Sequence, residues 1–398
     1  MAVSTAVPHS APATRSIVVL HLGFIVTGMV NTMLGPLLPI LSGRWALTDA
    51  QSGYFFAAQF GASIVGVTLS SALVPRWGSR LTLIIGFLIM GSGTAALTLD
   101  SWGLAILGAF GSGMGFGLTI PTTNLLVSEL NPEHRAAALN LVNFSWGIGA
   151  VSGPFLIAGL QHTSRVSLFM FIILGLSIFV ALLVSTCDME AHAEKQSGDS
   201  DPKAWRSKYV PVLAAVFFLY VGSEASVGGW IAALARRTVA PSGTAWVLTP
   251  SFFWATLLIG RASAPMILRR IPELVLARIG VALATAGTTL FLLAGTIWVL
   301  GFGVALAGLG FASVYPIAIS VLSHHFGKMA ARIGGLLFSL AGLGGTVMPW
   351  VVGLTSTHFA SLRTGLLVPL LGCVAMFGLY TVLAIWSGDG PDAASRVV

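Results

Sequence analysis

The run Tyr220-Val221-Gly222-Ser223-Glu224-Ala225-Ser226-Val227-Gly228-Gly229-Trp230 sets one carboxylate in the middle of an apolar stretch. Of the chain's 13 acidic residues, Glu224 alone is so placed. Asp49 and Asp100 fall in short turns, Glu129, Glu133 and Glu273 at run ends, and the others in one polar segment or the tail. An ionisable group at membrane depth is costly and is a functional candidate by default. A carboxylate there can carry a proton, because burial disfavours its charged form while contact with water restores it. The alternative is structural, a charge neutralised by an arginine so that two helices lock. Arg261, the one basic residue inside an apolar run, can pair with Glu224, reach toward water, or hold substrate.

Neutral hydrogen-bonding groups accompany this acid. At 1.5 Å of rise per residue, Asn31, Gln59, Asn143, Trp146 and Tyr315 come to comparable depths in their helices, and Tyr220 shares the Glu224 face at i, i+4. Amides that donate and accept, set beside aromatic rings, suit a neutral polyhydroxylated ligand. The same amides could instead hold helices together. The expected substrate site is Asn31, Gln59, Asn143, Trp146, Tyr220, Glu224 and Tyr315, with Glu224 and Arg261 handling the proton. Metal-ligand spacing, a phosphate-binding loop and a nucleophile motif are all missing from the sequence, so the reading is not an enzyme, with no cofactor and no metal.

The elements that position these residues are membrane helices. The chain is 56% hydrophobic and 8% charged, with a mean hydropathy of +0.91, far from the roughly 25% charge of a soluble domain. Apolar runs of spanning length occur at about 16–42, 50–74, 82–99, 102–128, 136–160 and 166–187, and again at 209–235, 245–268, 275–297, 298–323, 331–354 and 364–386. The first is too long for the core of a signal peptide and reads as an uncleaved helix, bent near Gly28, Asn31 and Gly35-Pro36. The fold class is therefore an all-α membrane protein of 12 transmembrane helices in two six-helix halves. Its expected divisions are a tail at 1–15, a half at 16–187, a linker at 188–208, a half at 209–387 and a tail at 388–398.

Charge orients the bundle. With both termini on one side, 14 Lys and Arg fall on that side and five on the other, which puts both termini in the cytoplasm of a cell expected to be bacterial, at its inner membrane. The net charge of +7 is scattered between apolar runs, so nucleic acid is not a partner. The expected partners are a small-molecule substrate, protons and the lipid bilayer, with the protein as a monomer.

The halves repeat. A slide of 195 residues superposes Gly113-Met114-Gly115-Phe116 on Gly308-Leu309-Gly310-Phe311, Pro121 on Pro316, Gly147 and Gly149 on Gly342 and Gly344, and Pro154 on Pro349. A slide of 194 pairs Gly28 with Gly222 and Gly35 with Gly229. Such duplication marks a transporter with a midplane site between two halves.

On these features the chain resembles the major facilitator superfamily. Ser71 to Arg80 is similar to its Gly-x-x-x-Asp-Arg-x-Gly-Arg-Arg loop, keeping Arg76, Gly78 and Arg80 but with Pro75 where the motif has Asp. Tyr220-Val221-Gly222, Asn140-Leu141 and Pro121 resemble the fucose-permease group of sugar and proton symporters. That resemblance implies alternating access and proton-coupled sugar uptake, with Arg76, Gly78 and Arg80 gating. Fucose permease carries acids in its first and fourth helices, where this chain has Asn31 and Phe116, so coupling would rest on Glu224 alone. Gly149, Gly153 and Pro154 resemble a motif of drug and proton antiporters, but an echo at Gly345 and Pro349 favours a hinge common to both halves. Efflux of a small organic or amphipathic compound and uncoupled sugar flow remain the alternatives.

Overall fold

The structure, a computed structural model, describes residues 11–163, 165–187, 189 and 202–387. The first ten residues, most of the expected linker and the tail from 388 lie outside the described residues. The N-terminal half runs α1 (Ala11–Thr32), α2 (Leu34–Arg44), α3 (Asp49–Ala96), α4 (Trp102–Leu130), α5 (Arg135–His162) and α6 (Ser167–Ser185). After the short α7 (Pro202–Trp205) come α8 (Tyr209–Thr238), α9 (Thr249–Ile267), α10 (Glu273–Leu293), α11 (Ile297–Phe311), α12 (Val314–Phe326), α13 (Ala330–His358), α14 (Leu362–Gly365) and α15 (Leu367–Trp386). Among the described residues there is no strand.

Among the described residues, ten helical segments are long and apolar enough to cross a membrane. One of them, the 48-residue α3, crosses twice: Gly78 has φ 80° and ψ 162°, and the chain folds back there. Gly66 before this turn and Gly86 after it both face the same turn of α4, around Gly117 and Leu118. A positive φ costs glycine nothing, which is why this loop carries one. The twelfth crossing is α9, made less apolar by Arg261 and Pro265, which must span because α8 ends and α10 begins at opposite ends of the bundle.

Two spans are broken, and proline explains both. Pro36 has no N–H to offer Thr32 and its ring crowds that carbonyl, so the first span breaks between α1 and α2 at Met33. Pro316 does the same to Ala312, and the tenth span breaks between α11 and α12. The ninth and tenth spans part at Ala294 to Thr296, slightly before the boundary expected at 297 and 298, because the Thr296 side chain caps the Val299 N–H.

The repeat in the sequence is a repeat in packing. Gly28 lies against the Trp146 carbonyl and Gly149 against the Ile25 carbonyl, closing α1 onto α5. In the other half, Gly222 lies against Met348 and the Gly344 carbonyl, and Gly344 against the Phe218 carbonyl, closing α8 onto α13. Backbones this close leave no room for a Cβ, which is how small residues drive helix association in lipid. Between halves, α3 meets α13, α5 meets α9 and α2 meets α8.

Candidate functional site

A cavity of about 650 Å³ lies on the seam between the halves. The two broken spans supply part of its wall: Asn31, Thr32, Leu34 and Gly35 flank one break, and Tyr315 and Pro316 the other. From α5 come Asn140, Asn143 and Trp146, and from α8 and α9 come Tyr220, Glu224, Trp254 and Arg261. Trp146 and Trp254 meet edge to face across the seam, with ring centroids 5.6 Å apart.

At the charged corner, the Tyr220 hydroxyl is 2.7 Å from Glu224 Oε1 and donates to it. The same hydroxyl is 3.1 Å from the Phe311 carbonyl oxygen. Arg261 Nη2 donates to Glu224 Oε1 at 3.3 Å and to the Tyr220 oxygen at 3.2 Å. Of the options the sequence left for Arg261, the structure realises the ion pair, with side chains 30% and 14% exposed for Arg261 and Glu224. The pair is single-point and longer than the roughly 2.7–2.9 Å of a strong charge-assisted bond. The Tyr220 ring is fixed by stacking on Tyr315 at 5.1 Å and by an edge contact with Phe311.

Six of the seven expected substrate residues, Asn31, Asn143, Trp146, Tyr220, Glu224 and Tyr315, are thus brought to one cavity, and Arg261 joins them. Gln59 is placed elsewhere. It is fully buried, its Nε2 donates to the Val30 carbonyl at 3.1 Å, and its Oε1 has no partner. It glues the first span to the second, because its position on α3 points toward α1 and α4 and away from the seam. The residue beside it, Phe60, lines the cavity instead. The repeat carried a signal for this: a slide of 194 pairs Gln59 with Phe253, both fully buried, and Phe60 with Trp254, both on the cavity wall. Sequence reasoning missed Trp254, Phe60 and Thr32, and used Asn140 only as a motif residue, although Asn140 and Asn143 lie one turn apart on one face of α5.

The expected gating residues divide. Arg76 and Arg80 are exposed and make no hydrogen bond or ion pair among the described residues. Gly149 is a tight backbone contact, whereas a Cβ on Gly153 would meet only Met29 at ordinary distances of 3.6 Å and beyond. Pro154 lies inside α5.

Every hydrogen bond and ion pair joining the halves among the described residues is on the side away from the termini. Arg237 grips Asp49 there, and Ser356 Oγ donates to Asp49 Oδ2 at 2.5 Å. Thr357 Oγ1 accepts from the Ala50 N–H at 2.8 Å, Arg236 donates to the Pro39 carbonyl at 2.7 Å, and Ser251 donates to the Val151 carbonyl at 3.1 Å. Among the described residues the opposite, terminal end shows no such tie, and the exposed Asn140 and Asn143 on its side leave the cavity open toward it. In the sequence, Asp49 stands in a short turn and Arg237 is one of the five Lys and Arg counted on the side away from the termini.

A helical bundle of two repeated halves around a seam cavity is the architecture of a membrane transporter. Residues 20–349 match the Major Facilitator Superfamily model, and the chain belongs to that superfamily. It is 22% identical over 385 residues to the glucose/mannose transporter GlcP of Bacillus subtilis, covering 91% of this chain and 90% of that one. It is 24% identical over 390 residues to a glucose/galactose transporter of Brucella abortus, covering 92% of each. Among solved structures, an inward-facing, occupied bacterial homolog of the human lysosomal transporter Spinster superposes with a TM-score of 0.76 at 16% identity, covering 95% and 97% of the two chains. The outward-facing transporter FucP superposes with a TM-score of 0.63 at 19% identity, covering 93% and 98%. The fold is accordingly the major facilitator fold, and the protein is an integral membrane transporter and not an enzyme.

Proposed function

We propose that this chain carries a sugar across the membrane by alternating access and that Glu224 carries the coupling proton. Both nearly full-length relatives named above are hexose transporters, and the cavity pairs amides with aromatic rings. The observation that carries the coupling is the position of one hydroxyl, Tyr220, within reach of two acceptors, Glu224 Oε1 and the Phe311 carbonyl. Tyrosine has one proton to give. With Glu224 ionised, that proton goes to the carboxylate; with Glu224 protonated, the carboxyl donates to the Tyr220 oxygen and Tyr220 turns its proton to Phe311. In each protonation state the Tyr220 proton therefore has an acceptor, as a hydroxyl beside a group that titrates during a cycle requires.

On this reading the terminal end faces the cytoplasm by the positive-inside rule, and the cavity is in its inward-open state. The protein works as a monomer in a bacterial inner membrane, with its halves at 16–187 and 209–387 rocking about the seam. The test is uptake of labelled D-glucose and D-galactose into proteoliposomes with an imposed proton gradient. Accumulation that follows the gradient supports the reading, and uptake that only equilibrates makes the protein a facilitator. Export of an amphipathic organic compound in exchange for protons is the second reading, favoured by the aromatic wall of Phe56, Phe60, Trp146 and Trp254. It predicts that the same gradient drives the compound the opposite way.

A further inference from the structure

We infer that the solute carried by this site bears a carboxylate, and that this carboxylate and Glu224 compete for Arg261. The inference rests on the sugar reading above and narrows it to monosaccharide acids.

Charge in the cavity is the first ground. Glu224 and Arg261 are the only ionic side chains on its wall among the described residues, so the site as described is neutral while Glu224 is ionised. Once Glu224 takes a proton, the site holds one unpaired guanidinium, which is expensive away from water. A neutral sugar leaves that charge uncompensated. A monocarboxylate cancels it, so proton and anion are each most stable in the site when the other is present.

Geometry is the second ground. A guanidinium offers five N–H donors in a planar fork that matches a carboxylate. Arg261 uses one nitrogen of that fork, Nη2, for both of its bonds. Nε is buried without a partner, and Nη1 has none among the described residues. An arginine whose only task was to lock α9 to α8 would turn the fork onto Glu224, as Arg237 does onto Asp49 with bonds from both Nη atoms at 2.7 and 2.6 Å. Arg261 lines the cavity with its fork not filled by Glu224. The ring of a sugar acid would then rest among Trp146, Trp254 and Tyr315, with its hydroxyls toward Asn31 and Asn143.

One consequence concerns the membrane potential. One proton entering with one monoanion moves no net charge, whereas a proton entering with a neutral sugar moves one positive charge.

The experiment uses the full chain, purified and reconstituted, with D-glucuronate and D-galacturonate against D-glucose and D-galactose. The acids are expected to bind at least about tenfold more tightly than the neutral sugars, as a charge-assisted pair requires. Their binding should weaken as pH rises from the acid side, because the sugar carboxylate itself stays ionised there and only the protein's proton is lost. In Glu224→Gln, with no competing carboxylate, acid binding should be at least as tight and flat with pH. The double variant Glu224→Gln/Arg261→Gln buries no charge, so it folds whether or not the inference holds, and it should lose the acids. Uptake of the acids should follow a pH gradient and ignore a potassium diffusion potential. Acid binding kept by the double variant, or uptake driven by the potential, overturns the inference. Tight binding of neutral hexoses with no binding of the acids overturns it and leaves the sugar reading standing; failure of folded protein to bind either class removes both.

Discussion

Arg237 holds Asp49 with two parallel hydrogen bonds, Nη1 to Oδ2 at 2.7 Å and Nη2 to Oδ1 at 2.6 Å, and the two residues belong to different halves. Asp49 opens α3 and Arg237 lies in the last turn of α8, so each charge also faces the favourable end of its helix dipole. The latch holds shut the end away from the termini. It must break for the cavity to open there.

Asp49→Asn keeps the shape but removes the charge and the second strong bond. Arg237 is 46% exposed on its side chain, so solvent screening limits the effect to about 1 kcal/mol, a roughly fivefold shift of population toward the state open at that end. Labelling of a cysteine introduced at Tyr54, next to the seam, would read it. Unchanged labelling would mean the latch does not bias the cycle.

Glu224→Gln cannot ionise and stands in for the protonated form. Accumulation driven by a proton gradient should be lost, while counterflow exchange of labelled for unlabelled substrate should persist. If Glu224 served only to neutralise Arg261, the variant would instead be poorly folded, losing about 3 to 5 kcal/mol, and would recover on a second change at Arg261. Proton-driven accumulation by a folded Glu224→Gln protein would end the coupling claim.

Asn31 and Gln59 separate binding from stability. Asn31→Ala removes a cavity hydrogen-bonding group and should raise KM several-fold with little change in Tm. Gln59→Ala strips the Val30 carbonyl of its Nε2 partner in a dry interior, and should cost about 1 to 2 kcal/mol of stability while leaving KM alone. Measuring KM and Tm for both variants checks the assignment; a KM effect from Gln59→Ala would return that residue to the site.

Gly149 and Gly153 make a second contrast. A methyl group at Gly149 would overlap the Ile25 carbonyl, and Gly149→Ala should destabilise by about 1 to 3 kcal/mol or halt the cycle. Gly153→Ala adds a methyl at ordinary contact distance and should be neutral or stabilising by up to about 1 kcal/mol through helix propensity. Thermal unfolding of the two purified variants in one detergent decides it. Equal losses would show that the hinge needs both glycines.

The sequence alone determined the helical membrane class, the duplication and the depth at which Glu224 sits. These follow from hydropathy and spacing, which depend on one helix at a time, and from glycines and prolines whose backbone roles are local. Depth picks out Asn31, Asn143, Trp146, Tyr220 and Tyr315, which line the cavity, yet it could not separate them from Gln59, because depth says nothing about rotation about the helix axis. Only tertiary packing turns Gln59 inward and Phe60 outward to the seam, one residue and about 100° apart. The partner of Glu224 likewise lies on another helix, and the latch of Asp49 with Arg237 joins residues 188 positions apart. Pairing across a seam is a property of how the two halves dock, and no local pattern in the chain encodes it.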